Sequence, residues 1–96
     1  MKLDELIRLK REQILEAAKE HGACRIRVFG SVARRQDDDS SDIDFLVDME
    51  PGRSLLDLGG LQVNLEQLLN TKVDVVTERG LNDRIRSRVI SEALPL

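Results

Sequence analysis

The sequence is poor in the residues that build aromatic cores, disulfides and zinc sites. It has no tryptophan or tyrosine, and its only phenylalanines are Phe29 and Phe45. We therefore expect a core of leucine, isoleucine and valine. The single cysteine, Cys24, cannot form an intrachain disulfide, which suits a reducing cytoplasm, and we expect it to be a small core residue. The single histidine, His21, excludes a multi-histidine zinc cluster or a histidine-activated nucleophile system.

Long apolar runs are missing as well. No stretch approaches the roughly 20 apolar residues that a membrane-spanning helix needs, and no charged-then-apolar leader precedes a cleavage site. The net charge of −3 argues against general nucleic-acid binding. Ninety-six residues can bury one core but not two, so we expect a single cytoplasmic domain over residues 1–96.

Negative charge is concentrated in one stretch. Residues 30–50 contain seven acidic residues against Arg34 and Arg35, a net charge of −5, whereas the whole chain carries −3. In this stretch Gly30-Ser31 follows a strand-like run. Ten residues then separate Ser31 from Asp42-Ile43-Asp44, which opens the next apolar run. Because side chains alternate along a strand, Asp42 and Asp44 should point to the same face.

These residues have complementary chemistry. Two ionised carboxylates side by side repel each other, and a divalent cation or solvent must screen them. A glycine and a serine at a strand-to-helix turn offer backbone N–H groups and a hydroxyl to phosphate oxygens. Carboxylates that can bind a metal, placed beside a phosphate-binding turn, indicate phosphoryl or nucleotidyl transfer.

The periodicity of apolar residues predicts helices that alternate with strands, in the order α-β-α-β-α-β-α. We expect helices over Leu3–Glu20, over Val32–Gln36, from a capping box at Ser54–Asp57 to a stop at Asn70-Thr71, and over Leu81–Leu94. We expect strands over Cys24–Phe29, Asp42–Met49 and Lys72–Thr77, and a polar loop over Asp37–Ser41. This order predicts a small α/β (α+β) domain with a mixed sheet flanked by helices.

A third acidic residue stands in the last predicted strand. Asp74 interrupts the apolar sequence from Val73 to Val76. An acidic side chain is out of place in a buried strand unless it faces a site. Asp74 lies thirty residues beyond Asp44 and would join it if both strands present their acids on the same sheet face.

The composite motif resembles the polymerase-beta-like nucleotidyltransferase superfamily. Gly30-Ser31-Val32-Ala33-Arg34, together with Ser41-Asp42-Ile43-Asp44-Phe45-Leu46-Val47, is most similar to its minimal members, the antitoxin subunits paired with HEPN-domain ribonuclease toxins. The resemblance covers roughly residues 20–96. It departs from the family pattern at Arg35, where many relatives have glycine, and this affects the expected conformation of the following loop.

The resemblance implies a site and its cofactors. The substrate would be ATP. Two Mg²⁺ ions would be held by Asp42, Asp44 and Asp74. Asp74 could also accept the proton of the acceptor hydroxyl. The nucleotide-binding residues would be Gly30, Ser31, Arg34 and Ser41.

The resemblance also implies a protein partner. AMP would be transferred to a hydroxyl, expected to be a tyrosine, of a HEPN toxin that forms a hetero-oligomer with this chain. Because the sequence continues for only one helix after Asp74, we expect the acceptor to be held by that partner. A ridge formed by Leu56, Gly59-Gly60 and Val63 and the arginines around the last helix are candidate docking features. The alternatives are an antitoxin that masks its toxin without catalysis and a subunit that modifies small molecules.

Overall fold

The computed structural model describes residues 2–34 and 42–96 as helices packed on a mixed sheet. The described elements are α1 Leu3–Leu9, α2 Arg11–Glu20, β1 Ala23–Phe29, α3 Gly30–Ala33, β2 Ile43–Met49, α4 Leu55–Leu69, β3 Val73–Val76, α5 Asp83–Glu92 and β4 Leu94–Pro95. The strand order is β3-β2-β1-β4. β1 runs antiparallel to β2 and β4, whereas β2 and β3 are parallel. The predicted fold class, a mixed sheet flanked by helices, is confirmed.

The main core lies between one sheet face and helices α2 and α4. Alternation along the strands turns their apolar side chains towards these helices, as the sequence predicts. Phe45 lies fully buried at the centre, and aliphatic side chains supply nearly all the rest. The buried members on the strands and on the two helices include Ile14, Ile26, Val28, Ile43, Val47, Leu61, Leu65, Leu69, Val73 and Val75.

The opposite sheet face carries the acids and a smaller apolar cluster. Leu46 is fully buried there by Leu81 and Val89, which come from the segment that includes α5. Asp44 of β2 and Asp74 of β3 occupy this face near the amino ends of the two strands. Packing of α5 on this face therefore positions the site beside the end of that helix.

The first helix differs from its prediction. Lys10 has φ −101° and ψ 12°, which divides the predicted helix Leu3–Glu20 into α1 and α2. Lys10 and Arg11 interrupt the apolar stripe, so one straight helix could not bury both halves. The break lets α1 pack against both α2 and α3, and it buries Ile7.

Three further expectations need correction. α3 covers Gly30–Ala33 rather than Val32–Gln36, whose last two residues, like the loop Asp37–Ser41, lie outside the described residues. α5 is shorter than predicted, because Leu94–Pro95 pairs with β1 as an edge strand. Cys24 is exposed rather than in the core, and its thiol donates a hydrogen bond of 3.2 Å to the carbonyl oxygen of Asp48.

The start and end of α4 agree with the sequence. The Ser54 hydroxyl accepts a hydrogen bond from the backbone N–H of Leu56, and the Asp57 carboxylate accepts one from the backbone N–H of Ser54, completing the capping box. Asn70, with φ 51°, ends the helix in the left-handed region. Within the described ranges no helix has the length and apolar character needed to cross a membrane.

Candidate active site

Two of the predicted acidic residues lie side by side. Asp44 in β2 and Asp74 in β3 are partners in the parallel register, although thirty positions separate them in sequence. On the other side, Asp44 pairs with Phe29 at the end of β1. Asp74 is exposed while Asp44 is half-buried. The sheet therefore brings together the two carboxylates that the sequence expects to share a site.

Negatively charged side chains lie close together around Asp44, and the nearby positive charge does not fully offset their repulsion. The pKa of Asp44 is raised from 3.8 to about 6, chiefly by burial and then by the charges of Asp74 and Asp42. The Arg34 guanidinium acts in the opposite direction, and a hydrogen bond to Asp74 favours the protonated form. A cation placed here would offset the repulsion between the carboxylates.

The third acid is close but faces a different neighbour. The charge of Asp42 reaches Asp44, yet its Oδ2 lies 3.9 Å from Nζ of Lys72 in an ion pair. Among residues 2–34 and 42–96, no three histidine, cysteine, aspartate or glutamate side chains are arranged to hold a metal ion as they stand. The Asp44–Asp74 pair is formed, and its oxygen donors suit a hard ion such as Mg²⁺. Asp42 would have to turn away from Lys72 to join it.

The glycine of the motif is required by its surroundings. Gly30 begins α3 with φ +75°, a conformation that side-chain-bearing residues rarely adopt. A Cβ atom at this position would collide with the carboxylate of Asp44. The turn after β1 therefore lies directly against Asp44, so a nucleotide could contact the turn and this carboxylate at once.

The other predicted nucleotide-binding residues divide into two groups. Ser31 is the second residue of α3 and is half-buried beside Gly30. Arg34 follows α3 and lies close enough to Asp44 to influence its pKa. Ser41 lies outside the described residues. The structure thus brings Gly30, Ser31 and Arg34 to the acids.

A residue that sequence reasoning missed completes this side of the site. The carboxylate of Glu92, at the end of α5, accepts a hydrogen bond of 3.3 Å from the backbone N–H of Gly30. It also accepts hydrogen bonds from Nη1 of Arg34, at 3.0 Å to Oε1 and 3.3 Å to Oε2. One signal was available in the sequence: an acid at the carboxyl end of a helix opposes the helix dipole and needs a specific reason.

The chain is similar to known proteins over nearly all of its length. The family model described as nucleotidyltransferase domain matches residues 11–96. A Methanocaldococcus jannaschii protein provisionally named a protein adenylyltransferase is 38% identical over 88% of this chain and 90% of its own length. Protein adenylyltransferase MntA of Thermococcus cleftensis is 39% identical over 86% of this chain and 89% of its own.

Solved structures agree with the sequence comparisons. A structure provisionally described as a minimal nucleotidyltransferase has a TM-score of 0.87 and 50% identity, covering 97% of this chain and 95% of the other. A toxin–antitoxin crystal structure with AMP-PNP has a TM-score of 0.74 at 21% identity, covering 88% of this chain and 69% of the other, and shows the same fold. The chain is therefore a nucleotidyltransferase that belongs to the nucleotidyltransferase domain family, and its resemblance to the minimal nucleotidyltransferases is confirmed.

Proposed function

We propose that this chain transfers AMP from ATP to a tyrosine hydroxyl of a HEPN-domain toxin and so neutralises that toxin. The observation that carries the proposal is the in-register pair of Asp44 and Asp74, with Asp44 lying against the Gly30 turn. Metal-binding and phosphate-binding groups thus adjoin. Relatives over 30% identical are named protein adenylyltransferases, which supports AMP as the transferred group. A toxin–antitoxin structure with AMP-PNP shares the fold, which is consistent with a toxin partner.

The acidic residues would hold Mg²⁺. We assign Asp42, Asp44 and Asp74 as its ligands, because burial and the charges of Asp74 and Asp42 raise the pKa of Asp44, and a bound cation would offset the repulsion among the three carboxylates. When bound, Mg²⁺ supplies charge neutralisation for the phosphates and lowers the pKa of an adjacent hydroxyl. The resemblance implies two ions.

The chain's own groups position the nucleotide and move a proton. The N–H of Gly30, the hydroxyl of Ser31 and the guanidinium of Arg34 bind phosphate oxygens. The acceptor oxygen forms a bond to the α-phosphorus while the bond to the bridging α–β oxygen breaks, and pyrophosphate leaves. The proton of the acceptor hydroxyl passes to Asp74, whose exposed position on β3 leaves it accessible to an incoming protein.

The acceptor must come from another molecule if it is a tyrosine, because this chain contains none. α4 offers an exposed docking ridge: Leu56 is 87% exposed and Val63 is 54% exposed. A Cβ atom at Gly59 would meet open space, whereas one at Gly60 would lie 3.1 Å from the His21 ring. The proposed ridge is therefore Leu56, Gly59 and Val63, and Gly60 serves contact with the end of α2. Residues 1–96 would act as one catalytic domain.

A transfer assay tests the proposal. Wild type and Asp74→Asn are incubated with α-³²P-ATP, Mg²⁺ and a HEPN-domain toxin from the same genome, and label on the toxin is followed. Loss of a general base typically slows a reaction by about 10²–10⁴, and a lost metal ligand adds to that. Asp74→Asn should still bind Mg·ATP measurably. Asp48→Asn is the matched control, since Asp48 occupies the same sheet face at the far end of β2.

Dose separates catalysis from masking. One molecule of a catalytic antitoxin inactivates many toxin molecules. Wild type should therefore protect at a substoichiometric dose, and Asp74→Asn should not. Equal protection by both proteins at substoichiometric dose would exclude this mechanism. Equal protection only near a one-to-one ratio would establish the masking alternative instead.

A further inference from the structure

The groups assigned to phosphate binding already hold an anion that belongs to the protein. The Glu92 carboxylate accepts hydrogen bonds from the backbone N–H of Gly30 and from the Arg34 guanidinium, at 3.3 Å and 3.0 Å. The Glu92 side chain is 20% exposed and that of Arg34 is 36% exposed, so the ion pair is partly exposed to water. These are the donors that would bind phosphate oxygens of a nucleotide. Glu92 and a triphosphate therefore compete for the Gly30 N–H and for Nη1 of Arg34.

The position of Glu92 is unfavourable apart from this contact. It is the last residue of α5, where the negative end of the helix dipole disfavours a carboxylate, and no basic residue occupies the last turn. Asp44, a second acid, lies against the same glycine. The attraction of Gly30 and Arg34 for the Glu92 carboxylate therefore offsets its repulsion by the α5 dipole and by Asp44. Gly30 and Arg34 thus form an anion site that a side chain of the same protein occupies.

The backbone on both sides of Glu92 is held by hydrogen bonds. β4 follows α5 almost at once and pairs with β1 through Val28 and Leu94. The Ala93 N–H donates to the Val89 carbonyl oxygen and so completes the helix end. Release of the carboxylate thus needs only rotation about side-chain bonds and no opening of the sheet.

We propose that Glu92 occupies the triphosphate position in the nucleotide-free protein and is displaced when ATP binds. The inference rests on the proposed function, because it takes the Gly30 turn as the phosphate site. Only ligands with several phosphate oxygens can replace the carboxylate, so Glu92 lowers the affinity for triphosphates without affecting ligands that lack them. After transfer, its return to Gly30 and Arg34 would compete with pyrophosphate and promote its release.

Glu92→Gln tests the proposal, since it removes the charge and preserves the shape. Calorimetry should show binding of Mg·ATP, and of tripolyphosphate without metal, about threefold to tenfold tighter than in wild type, the range expected for a partly exposed ion pair with charge-assisted hydrogen bonds. Adenosine binding should not change. Asp83→Asn is the matched control, an acid in the first turn of the same helix, and should leave all three affinities unaltered. Glu92→Met serves as a second uncharged variant if Glu92→Gln melts early.

Weaker or unchanged binding of both phosphate ligands by the folded variants would overturn the proposal. Weaker binding would show that Glu92 orients Arg34 for the phosphates rather than competing with them. The two hypotheses fail separately. If wild type does not bind Mg·ATP, while Glu92→Gln still binds tripolyphosphate more tightly than wild type does, the proposed function is wrong and the competition by Glu92 is supported. If wild type binds Mg·ATP and transfers AMP but the variants gain nothing, only the competition fails.

Discussion

The face of the sheet opposite the main core carries two clusters of charge that the fold treats differently. At one end, Asp44 and Asp74 are register partners, and burial and mutual repulsion raise the pKa of Asp44 to about 6. At the other end, Arg27 is only 4% exposed, and its Nη2 lies 3.2 Å from Glu78 and 3.6 Å from Asp48. One cluster consists of like charges and the other of opposite charges.

The difference shows which cluster serves the fold. A buried arginine is stable only when acids pair with it, and Glu78 and Asp48 do so within the protein. The acid pair has the nearby Arg34, but that residue also contacts Glu92. Charge left uncompensated in the folded protein is characteristic of a site that a ligand completes. The charges of the Arg27 cluster are therefore balanced within the fold, whereas those of the Asp44 pair are not.

The largest expected effect comes from reversing the charge in the structural cluster. Arg27→Glu would bury an acid beside Asp48 and Glu78, and it should lower the free energy of unfolding by at least about 3 kcal/mol, as for a broken buried ion pair. Arg27→Met, which matches the length of the arginine stem, should change it by less than about 1 kcal/mol. Urea unfolding measures both. A loss below 1 kcal/mol for Arg27→Glu would mean that this cluster does not stabilise the fold.

The acid pair was predictable from the sequence, whereas the Arg27 cluster was not. Alternation placed Asp42 and Asp44 on one face, and an acid within an apolar strand marked Asp74. Alternation along β1 also puts Arg27 on the face opposite Ile26 and Val28. It does not predict that Arg27 is buried, which the structure shows together with its contact to Glu78. Burial of that kind depends on contacts between residues about fifty positions apart, which no local pattern contains.

The errors in the fold have a similar origin. The break at Lys10 lets α1 pack on α3, a contact that the local sequence does not specify, and the edge strand Leu94–Pro95 forms by pairing with the free edge of β1. The contact of Glu92 with Gly30 spans 62 positions. Local signals succeeded where the cause is local, as in the capping box of Ser54 and Asp57.

The second prediction concerns stability as a function of pH, measured in EDTA. Because the folded-state pKa of Asp44 is raised from 3.8 to about 6, the folded protein binds more protons than the unfolded chain between these values. The contribution of Asp44 is fully present below pH 3.8 and is lost as pH rises through 6. Asp44→Asn should therefore be more stable than wild type at pH 7.5, by about 1–2 kcal/mol once solvent screening is allowed for.

Comparison of the two proteins across pH isolates this group. The difference in free energy of unfolding should be smallest near pH 4 and grow to its full size above pH 6.5. Asp57 does not interfere, because hydrogen bonds to its carboxylate, led by the backbone N–H of Ser54, lower its pKa below 3.8. A constant difference from pH 4 to pH 8 would show that the pKa of Asp44 is not raised in the folded protein.

The smallest expected effect is the most direct test of the comparison, because it makes the same substitution on the same face of the same strand. Asp48 lies four residues beyond Asp44 and pairs with Arg27 at 3.6 Å and with Arg25 at 3.9 Å. These distances are long and the Asp48 side chain is partly exposed, so Asp48→Asn should lower the free energy of unfolding at pH 7.5 by only about 0.5–1 kcal/mol. Asp44→Asn should raise it under the same conditions.

Urea unfolding of both variants in one buffer gives the sign of each change in the free energy of unfolding. Added salt should reduce the Asp48 effect, because screening weakens exposed ion pairs. If both substitutions shift stability in the same direction, the two ends of the sheet do not differ in charge compensation, and the case for a ligand site at Asp44 and Asp74 loses its electrostatic support.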